Sequence, residues 1–399
     1  MALARAVKDI YIVGAKRTPF GTYGGKLMNF TATDLQEIAA RAALASANIN
    51  AELINSTIVG NVAPTSKDGA YISRHVALRI GVPQAAPSLT LNRLCGSGFQ
   101  SIVSAAQEMS CGDSEIVLAG GAENMSQSPH TLRGARFGIK LGFDPVLEDT
   151  LWQTLIDQQI KTPMGVTAEN LAEKYNISRE DSDKFAIQSQ QRWKAAQDAG
   201  YFKEEMAPVT IKSKKGEKIM DVDEHPKPET TIENLAKLPP VFKKNGTVSP
   251  GNASGICDGA GAIILATEAA VKKHNLQPLA RLAGYGYAGC DPSIMGIGPA
   301  PAIRAMLGKT GVELKDVDLV DVNEAFAPQF LAVQKELELD PERTNVNGGA
   351  IALGHPVGAS GSRITANLTY ELRRRGGKYA IGSACIGGGQ GIAVLLERV

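Results

Sequence analysis

The stretch Asn92-Arg93-Leu94-Cys95-Gly96-Ser97-Gly98-Phe99-Gln100 joins a β-prone run to a helical pattern. Residues 88–91 precede it and an apolar-periodic run follows it, so we predict a strand, a tight turn, a cysteine and a helix. Turn glycines let the backbone approach a ligand closely. The unpaired N–H groups and the dipole at a helix N-terminus favour a thiolate, which makes Cys95 a candidate nucleophile. The alternative is that Cys95 is a small buried hydrophobe, because free cysteines are usually buried.

The composition excludes several classes of protein. A chain of 399 residues is too long for one simple core, so we expect two or three structural units. Hydrophobic residues make up 43% and charged residues 21%, as in ordinary soluble globular proteins. The net charge of +1 gives no basic footprint for nucleic acid, and no apolar run is long enough to cross a bilayer. Five scattered cysteines predict free thiols in a reducing compartment.

The N-terminal segment, Met1 to Lys8, is too short and too weakly apolar for a secretory signal. It carries Arg5 and Lys8 and no acid, which is compatible with mitochondrial import. Because a predicted strand starts at Ile10, we expect no long removable presequence.

Strand and helix patterns alternate in two parts of the chain, which predicts a layered α/β fold. In the first part we expect Thr33 or Asp34 to cap a helix. In the second part we expect a helix to open at Glu324 and a short strand from Thr344 to Asn347. Between them, from Ala122 to about Ser249, the patterns weaken. We interpret this segment as an insertion over one face, with two helices and a lysine-rich hairpin or loop at residues 212–218.

The order of elements before the insertion repeats after it, although residue identities do not match. Equivalent points of two such halves can face each other across a pseudo-twofold axis. The turn with Cys95 then corresponds to the loop with His355, and the strand end near Gly120 corresponds to the strand end with Cys385. Loops at strand ends are where α/β folds place their sites.

Three further stretches carry candidate functional residues. His355 is the one histidine in a glycine-dense loop, although loop histidines are often surface residues; the other four are interpreted as structural or exposed. Cys385 precedes Gly387-Gly388-Gly389-Gln390-Gly391, which is a turn that points N–H groups at a reacting oxygen, a phosphate-binding loop or a structural hairpin. Asn323 follows a hydrophobic strand, where it either caps a helix or holds a water or a carbonyl oxygen.

Together, the Cys95 turn, Asn323-Glu324-Ala325-Phe326, Gly354-His355-Pro356 and Cys385 with its glycine run resemble the motifs of the thiolase family. The resemblance spans essentially the whole chain from residue 16 onward, and four motifs in this order are highly specific. It implies a five-layered α-β-α-β-α fold with two similar halves.

The resemblance also implies domain bounds. The N-terminal half would comprise residues 1–121 and 256–278, and the C-terminal half residues 279–399. An inserted loop domain at residues 122–255 would bind coenzyme A.

The activity implied by the resemblance is cleavage of 3-ketoacyl-CoA by CoA into acetyl-CoA and a shortened acyl-CoA, in the mitochondrial matrix. Cys95 would be acylated, His355 would be its general base, and Cys385 would protonate the acetyl-CoA carbanion and deprotonate the incoming CoA. His355 and a water held by Asn323 would form one oxyanion hole. The N–H groups of Cys95 and Gly387 would form the second.

The resemblance implies coenzyme A as a substrate, with no permanent cofactor and no metal. Lys227 and Thr230 would hold the adenine end and Ser254 the pantetheine arm, while Phe242 and Met164 would line the tunnel. The alternative for Lys227 is an ordinary solvated lysine.

Other functions stay open at this point. One is acetyl transfer on acetoacetyl-CoA, although Pro163 stands where biosynthetic thiolases tend to have a histidine. Others are an acyl-CoA hydrolase, a non-enzymatic acyl-CoA carrier and a cysteine peptidase, whose Cys–His pair comes on a different architecture. The expected partners are acyl-CoA and CoA, with no nucleic acid and no stable membrane insertion. The resemblance further implies a homodimer or homotetramer, for which the sequence shows no interface.

Overall fold

The computed structural model describes residues 9–214 and 216–399. The strands are β1 Ile10–Arg17, β2 Gly21–Thr22, β3 Ser56–Gly60, β4 Ser88–Leu91, β5 Ile116–Asn124, β6 His130–Leu132, β7 Leu147–Asp149, β8 Ile156–Asp157, β9 Thr162–Pro163, β10 Val209–Ser213, β11 Gly216–Met220, β12 Cys257–Thr267, β13 Ala280–Gly289, β14 Leu319–Val322, β15 Tyr379–Ile386 and β16 Gln390–Arg398. The helices are α1 Ala32–Ala47, α2 Ile72–Ile80, α3 Ser97–Cys111, α4 Thr150–Thr154, α5 Met164–Lys174, α6 Arg179–Asp198, α7 Ile232–Ala236, α8 Glu268–His274, α9 Pro299–Thr310, α10 Ala327–Leu337, α11 Ala350–Leu353 and α12 Ser360–Arg375. Within these ranges no helix has both the length and the apolar content that a membrane crossing requires. The segment Met1 to Lys8, interpreted as compatible with import, and Lys215 of the predicted hairpin lie outside the described residues.

The sheet repeats one strand order in each half of the chain. Its order is β4-β3-β5-β12-β1-β13-β16-β15-β14, with β2 added beside β12. In the first half β3 and β5 are parallel while β5 and β12 are antiparallel, and in the second half β14, β15 and β16 repeat this arrangement. The halves meet where β1 pairs with β13 through the pairs Tyr11–Arg281 and Ile12–Ala280. The repeat that the order of elements predicted is therefore present in the sheet.

The core lies in layers, which confirms the predicted α-β-α-β-α fold. Helices α3 and α12 lie between the two halves of the sheet, where Phe99 and Ile102 of α3 share a cluster with Ile364 of α12. Helices α1 and α2 cover the outer face of the first half, and α9 and α10 cover that of the second. The turn before α3 and the loop before α12 consequently face each other at the centre of the molecule.

The insertion is tied to the core by a buried ion cluster around Arg17 of β1. The Nε atom of Arg17 donates to Glu205 (2.6 Å), and its two terminal nitrogens donate to the two carboxylate oxygens of Asp223 (2.6 and 3.0 Å). All three side chains are buried. A planar guanidinium suits this bidentate contact, which fixes the insertion over the C-terminal end of β1.

The predicted strand from Thr344 to Asn347 is wrong, and a side chain explains the difference. Thr344 makes a single parallel bridge to Val320 at the position that β4 occupies in the first half. Beyond it, the side chain of Asn345 replaces the strand: its Oδ1 accepts from the N–H of Val322 (2.9 Å) and its Nδ2 donates to the carbonyl of Val322 (2.9 Å). An asparagine amide carries the same donor and acceptor as a peptide unit. It therefore satisfies the N–H and the carbonyl of Val322, at the end of β14, without a neighbouring strand.

Two predicted helix starts also differ from the structure. Helix α1 is capped by Thr31, and Asp34 closes the capping box at the third helical position instead of being the cap. Helix α10 begins at Ala327, after Phe326, so the alternative that Asn323 caps a helix is wrong. Asn323 is thereby left free to contact the site.

Candidate active site

Cys95 lies in a strained turn between β4 and α3. The residue before it, Leu94, has a left-handed φ of 46°, and the side chains of Asn92 and Ser97 hold its backbone N–H and carbonyl. Cys95 is 6% exposed, and burial raises the pKa of its thiol to about 11, although the N–H groups of Gly387 and of Cys95 itself bond the sulfur and lower the pKa. Near neutral pH this residue is therefore a thiol that needs a base.

The glycine run after Cys385 brings a backbone N–H to the Cys95 sulfur. A Cβ on Gly387 would lie 2.5 Å from the Cε of Met164, so a side chain there would require the flexible end of Met164 to move. Gly388 and Gly389 have φ values of 79° and 80° and close the hairpin between β15 and β16. Of the three roles left open for this run, the geometry favours the turn that points an N–H group at a reacting atom.

Cys385 is fully buried near the end of β15. Burial raises the pKa of its thiol well above the usual range, and the nearby sulfurs of Cys95 and Cys290 raise it further. The Cys95 and Cys385 sulfurs are thus close enough to interact electrostatically, although they are 290 residues apart in the chain.

The loop between α11 and α12 carries His355, whose imidazole lines the same cavity as Cys95 and is a neutral base. Its Nδ1 lies 2.5 Å from the Oγ of Ser360, and its Nε2 lies 3.3 Å from the Nδ2 of Asn323. Burial lowers the pKa of His355 to about 4, and the guanidinium of Arg363 lowers it further. The imidazole is therefore uncharged near neutral pH and able to accept a proton.

Asn323 contacts the imidazole directly. Its backbone N–H donates to the carbonyl of Ser383 (2.9 Å), which fixes it beside β15. Its Nδ2 faces His355, while its Oδ1 is buried and has no hydrogen-bond partner among the described residues. The side chain that was expected to hold a water therefore also presents an amide donor to the site.

These residues open into a cavity of about 290 Å³. Cys95 and His355 lie in its wall, and so do three of the predicted CoA contacts: Met164, Phe242 and Ser254. The rings of Phe242 and Phe326 meet edge to face, with their centroids 6.1 Å apart. The wall is almost entirely apolar, which suits an acyl chain or the thiol end of a pantetheine arm.

The two predicted adenine contacts lie away from this cavity wall. Lys227 is exposed, and its backbone N–H donates to the side chain of Gln190 (2.8 Å). Thr230 is half-buried, and its N–H donates to the carbonyl of Lys227 (3.0 Å). In the described ranges no cluster of His, Cys, Asp and Glu side chains could hold a metal ion.

Sequence reasoning missed Glu123, a carboxylate in the cavity wall near the end of β5. Burial raises its pKa to about 7, while the N–H groups of Ala63, Val62 and Gly358 bond its oxygens and lower the pKa. The signal that could have found it is an acid that ends an otherwise apolar strand, directly after Gly120-Gly121-Ala122.

The comparisons with known proteins place the chain in a family. A model of the thiolase N-terminal domain matches residues 10–269, and a model of the thiolase C-terminal domain matches residues 276–398. The chain therefore belongs to the thiolase family.

Among its relatives, the mitochondrial 3-ketoacyl-CoA thiolase of Rattus norvegicus is 67% identical over 398 residues and that of Homo sapiens 64% over 397 residues, covering 99% or more of each chain. The acetyl-CoA acetyltransferase of Pseudomonas aeruginosa is 45% identical over 98% of this chain and 100% of its own. The crystal structure of human mitochondrial 3-ketoacyl-CoA thiolase matches with a TM-score of 0.97 and 64% identity over 98% of this chain and 99% of its own, and its complex with CoA matches with 0.96 and 63% over 98% of each chain.

Proposed function

We propose that this chain catalyses thiolytic cleavage of 3-ketoacyl-CoA by CoA in mitochondria, the last step of fatty-acid β-oxidation. The observation that carries the proposal is that Cys95 and a neutral His355 line one apolar cavity in a thiolase fold, with Cys385 buried behind its wall against Met295 and Ala325. Full-length identity of 64–67% to mitochondrial 3-ketoacyl-CoA thiolases supports both the reaction and the compartment.

In the first half-reaction the Nε2 atom of His355 takes the thiol proton of Cys95, and the sulfur attacks the 3-keto carbon. The carbonyl re-forms as the C2–C3 bond breaks, and its electron pair passes to the acetyl-CoA enolate. Cys385 protonates C2 and becomes a thiolate beside the imidazolium of His355. Acetyl-CoA leaves, and Cys95 carries the shortened acyl group.

In the second half-reaction the Cys385 thiolate takes the proton of the CoA thiol. The CoA sulfur attacks the acyl group, the S–C bond to Cys95 breaks, and the departing sulfur recovers its proton from His355. All three side chains return to their starting forms, so the cycle balances. A thiol suits Cys385 because its two protonation states are closer in energy near neutral pH than those of a hydroxyl.

Two sets of donors support the developing oxyanions. The N–H groups of Cys95 and Gly387 bond the sulfur in the free enzyme, and they would turn to the acyl oxygen once the sulfur is acylated. Protonated Nε2 of His355 and the amide of Asn323 would serve the enolate oxygen. Losing one such donor typically costs roughly 10²–10³-fold in rate.

Coenzyme A enters this proposal as a substrate. Met164, Phe242 and Ser254 would surround the pantetheine arm, because they line the same cavity as Cys95. Lys227 and Thr230 would hold the adenine end; the exposed ammonium of Lys227 suits a phosphate. The apolar wall beyond Cys95 leaves room for an acyl chain longer than acetyl.

We also propose that the chain forms homodimers that can pair again. Strand β4 is an edge strand whose Leu89 is exposed, and an unpaired edge of this kind invites a second copy. The segment 132–147 exposes a set of large apolar side chains, among them Phe137, which is 97% exposed. Light scattering after size exclusion tests this, and a monomer would contradict it.

The test of the reaction follows the loss of 3-ketoacyl-CoA when CoA is added. The wild-type chain should turn over substrates with several acyl lengths, and Cys95→Ala should be inactive. Turnover of acetoacetyl-CoA alone would favour an acetyltransferase, and loss of acyl-CoA without CoA would favour a hydrolase. No cleavage at any length, or full cleavage by Cys95→Ala, would refute the proposal.

A further inference from the structure

Glu123 is a buried carboxylate whose hydrogen-bond partners come from both halves of the chain. Its Oε1 accepts hydrogen bonds from the Nδ2 of Asn61 (3.2 Å) and the N–H of Ala63 (2.9 Å). Its Oε2 accepts from the N–H groups of Val62 (3.1 Å) and Gly358 (2.9 Å). Each oxygen therefore has two donors, which is all that its lone pairs accommodate. Held in this way, the carboxylate acts as a hydrogen-bond acceptor, and its four donors oppose the burial that raises its pKa.

The bond to Gly358 crosses between the halves. Glu123 belongs to β5, in the half that carries Cys95, whereas Gly358 follows His355 by three residues and leads into α12. The fit is close, because a Cβ on Gly358 would lie 2.8 Å from both the Oε2 of Glu123 and the carbonyl of Ala122. The loop that carries the base is thus fastened to the half that carries the nucleophile.

Strand register gives Glu123 a counterpart in the second half. The last residue of β3 pairs with Gly121 of β5, and the last residue of β14 pairs with Ser383 of β15. Glu123 and Cys385 each lie two residues further along. The two halves therefore carry a titratable side chain at equivalent positions. In the first half this side chain, Glu123, binds the loop of the second half.

We propose that Glu123 is a positioning residue, which holds the His355 loop through Gly358 at the distance from Cys95 that proton transfer requires. The inference rests on the proposed function of this site. Displacing a catalytic group by about 1 Å can cost on the order of 10²-fold in rate.

Two substitutions of Glu123 by residues of similar size distinguish a positioning role from an effect of its charge. Glu123→Met removes every acceptor, and we expect kcat for thiolysis to fall roughly 10- to 100-fold with KM changed less than about twofold. Glu123→Gln removes the charge but keeps one oxygen for the N–H groups of Gly358 and Val62, while the acceptor for Asn61 and Ala63 is lost on the other side. It should restore kcat to within about fivefold of wild type. Asn61→Ala, which leaves the Gly358 bond intact, is the matched control and should keep the wild-type kcat.

Circular dichroism and the urea midpoint show whether each variant is folded, so kcat is compared between folded proteins. Equal kcat for the Met and Gln variants, whether both normal or both impaired, would overturn the inference. If Glu123→Met does not fold, Glu123→Asp replaces it: this variant keeps the charge but is one methylene too short for Gly358, and a kcat equal to or above that of the Gln variant would overturn the inference.

The same variants distinguish this inference from the proposed function. If the wild-type chain does not cleave 3-ketoacyl-CoA, the proposed function fails, and the rate of Cys95 alkylation then tests the inference alone. Positioning predicts alkylation rates in the order wild type, Gln, Met, because His355 must reach the thiol. Equal rates, or a faster Met variant, would reject the role of Glu123.

Discussion

The Nδ1 atom of His355 lies 2.5 Å from the Oγ atom of Ser360, and this contact sets the tautomer of the imidazole. The hydroxyl of Ser360 donates to the carbonyl of Pro356 (3.2 Å), so it accepts a hydrogen bond from Nδ1–H. The lone pair is then on Nε2, beside Asn323, where a thiol proton can be received.

Ser360→Ala removes the acceptor for Nδ1–H and should lower kcat about tenfold, which corresponds to one hydrogen bond of about 1.4 kcal/mol. Steady-state kinetics should show a KM near that of the wild type, because Ser360 is away from the cavity wall. Ser362→Ala on the same helix turn is the control, since among the described residues the hydroxyl of Ser362 donates to the carbonyl of Ala359, within its own helix turn. Equal losses in both variants would contradict the role of the tautomer.

The directions of the two pKa shifts predict how Cys95 reactivity depends on pH. With the pKa of Cys95 raised to about 11 and that of His355 lowered to about 4, both groups are uncharged between these values. Because His355 takes the thiol proton within the pair, no proton is exchanged with solvent over this range, and the alkylation rate should stay nearly constant from pH 6 to pH 9. Mass spectrometry of the Cys95 peptide, in a Cys111→Ser background that removes an exposed thiol, measures it. A rise of about tenfold per pH unit would contradict this, because it would mean that the free thiolate reacts without help from His355.

Cys385→Ser keeps the shape of the side chain but replaces the thiol with a much weaker acid. We expect kcat for thiolysis to fall by about 10²- to 10⁴-fold, the usual contribution of a general acid or base. Alkylation of Cys95 should persist, because that step needs only His355. Cys290→Ser changes the neighbouring thiol and should leave kcat near wild type. Thiolysis by Cys385→Ser at the wild-type rate would remove Cys385 from the mechanism.

Gly165→Ala tests the cavity wall. A Cβ at Gly165 would overlap the ring of Phe242, so the ring, which lines the cavity, must shift. We expect the KM for CoA substrates to rise severalfold while kcat changes little, because Cys95 and His355 are not displaced. Competition by desulfo-CoA should weaken in parallel. An unchanged KM would mean that the substrate does not pass Phe242.

Arg17→Met leaves Glu205 and Asp223 buried without their cation. Removing one partner of a buried pair costs about 3–5 kcal/mol, so the free energy of unfolding should fall by that amount in urea titrations. Lys272→Ala, which breaks an exposed pair with Glu268 on α8, is the comparison and should leave the urea midpoint in place. Equal midpoints for both variants would show that the cluster does not anchor the insertion.

The sequence predicted the parts of the molecule that local chemistry controls. β-prone residues before Cys95 and apolar periodicity after it predicted β4 and α3, and the structure confirms both. Four motifs in order were enough for the family, which the comparisons confirm. The predicted bounds of the inserted domain and the roles of the site residues stay predictions.

Only the tertiary structure placed the contacts that join distant segments. The N–H of Gly387 on the Cys95 sulfur and the acceptor role of Glu123 depend on the pairing register of strands that lie far apart in sequence. The missing strand at residues 344–347 depends on where one asparagine side chain reaches. Local sequence fixes backbone dihedral preferences over a few residues, whereas these distances are set by how the two halves of the sheet pack on α3 and α12.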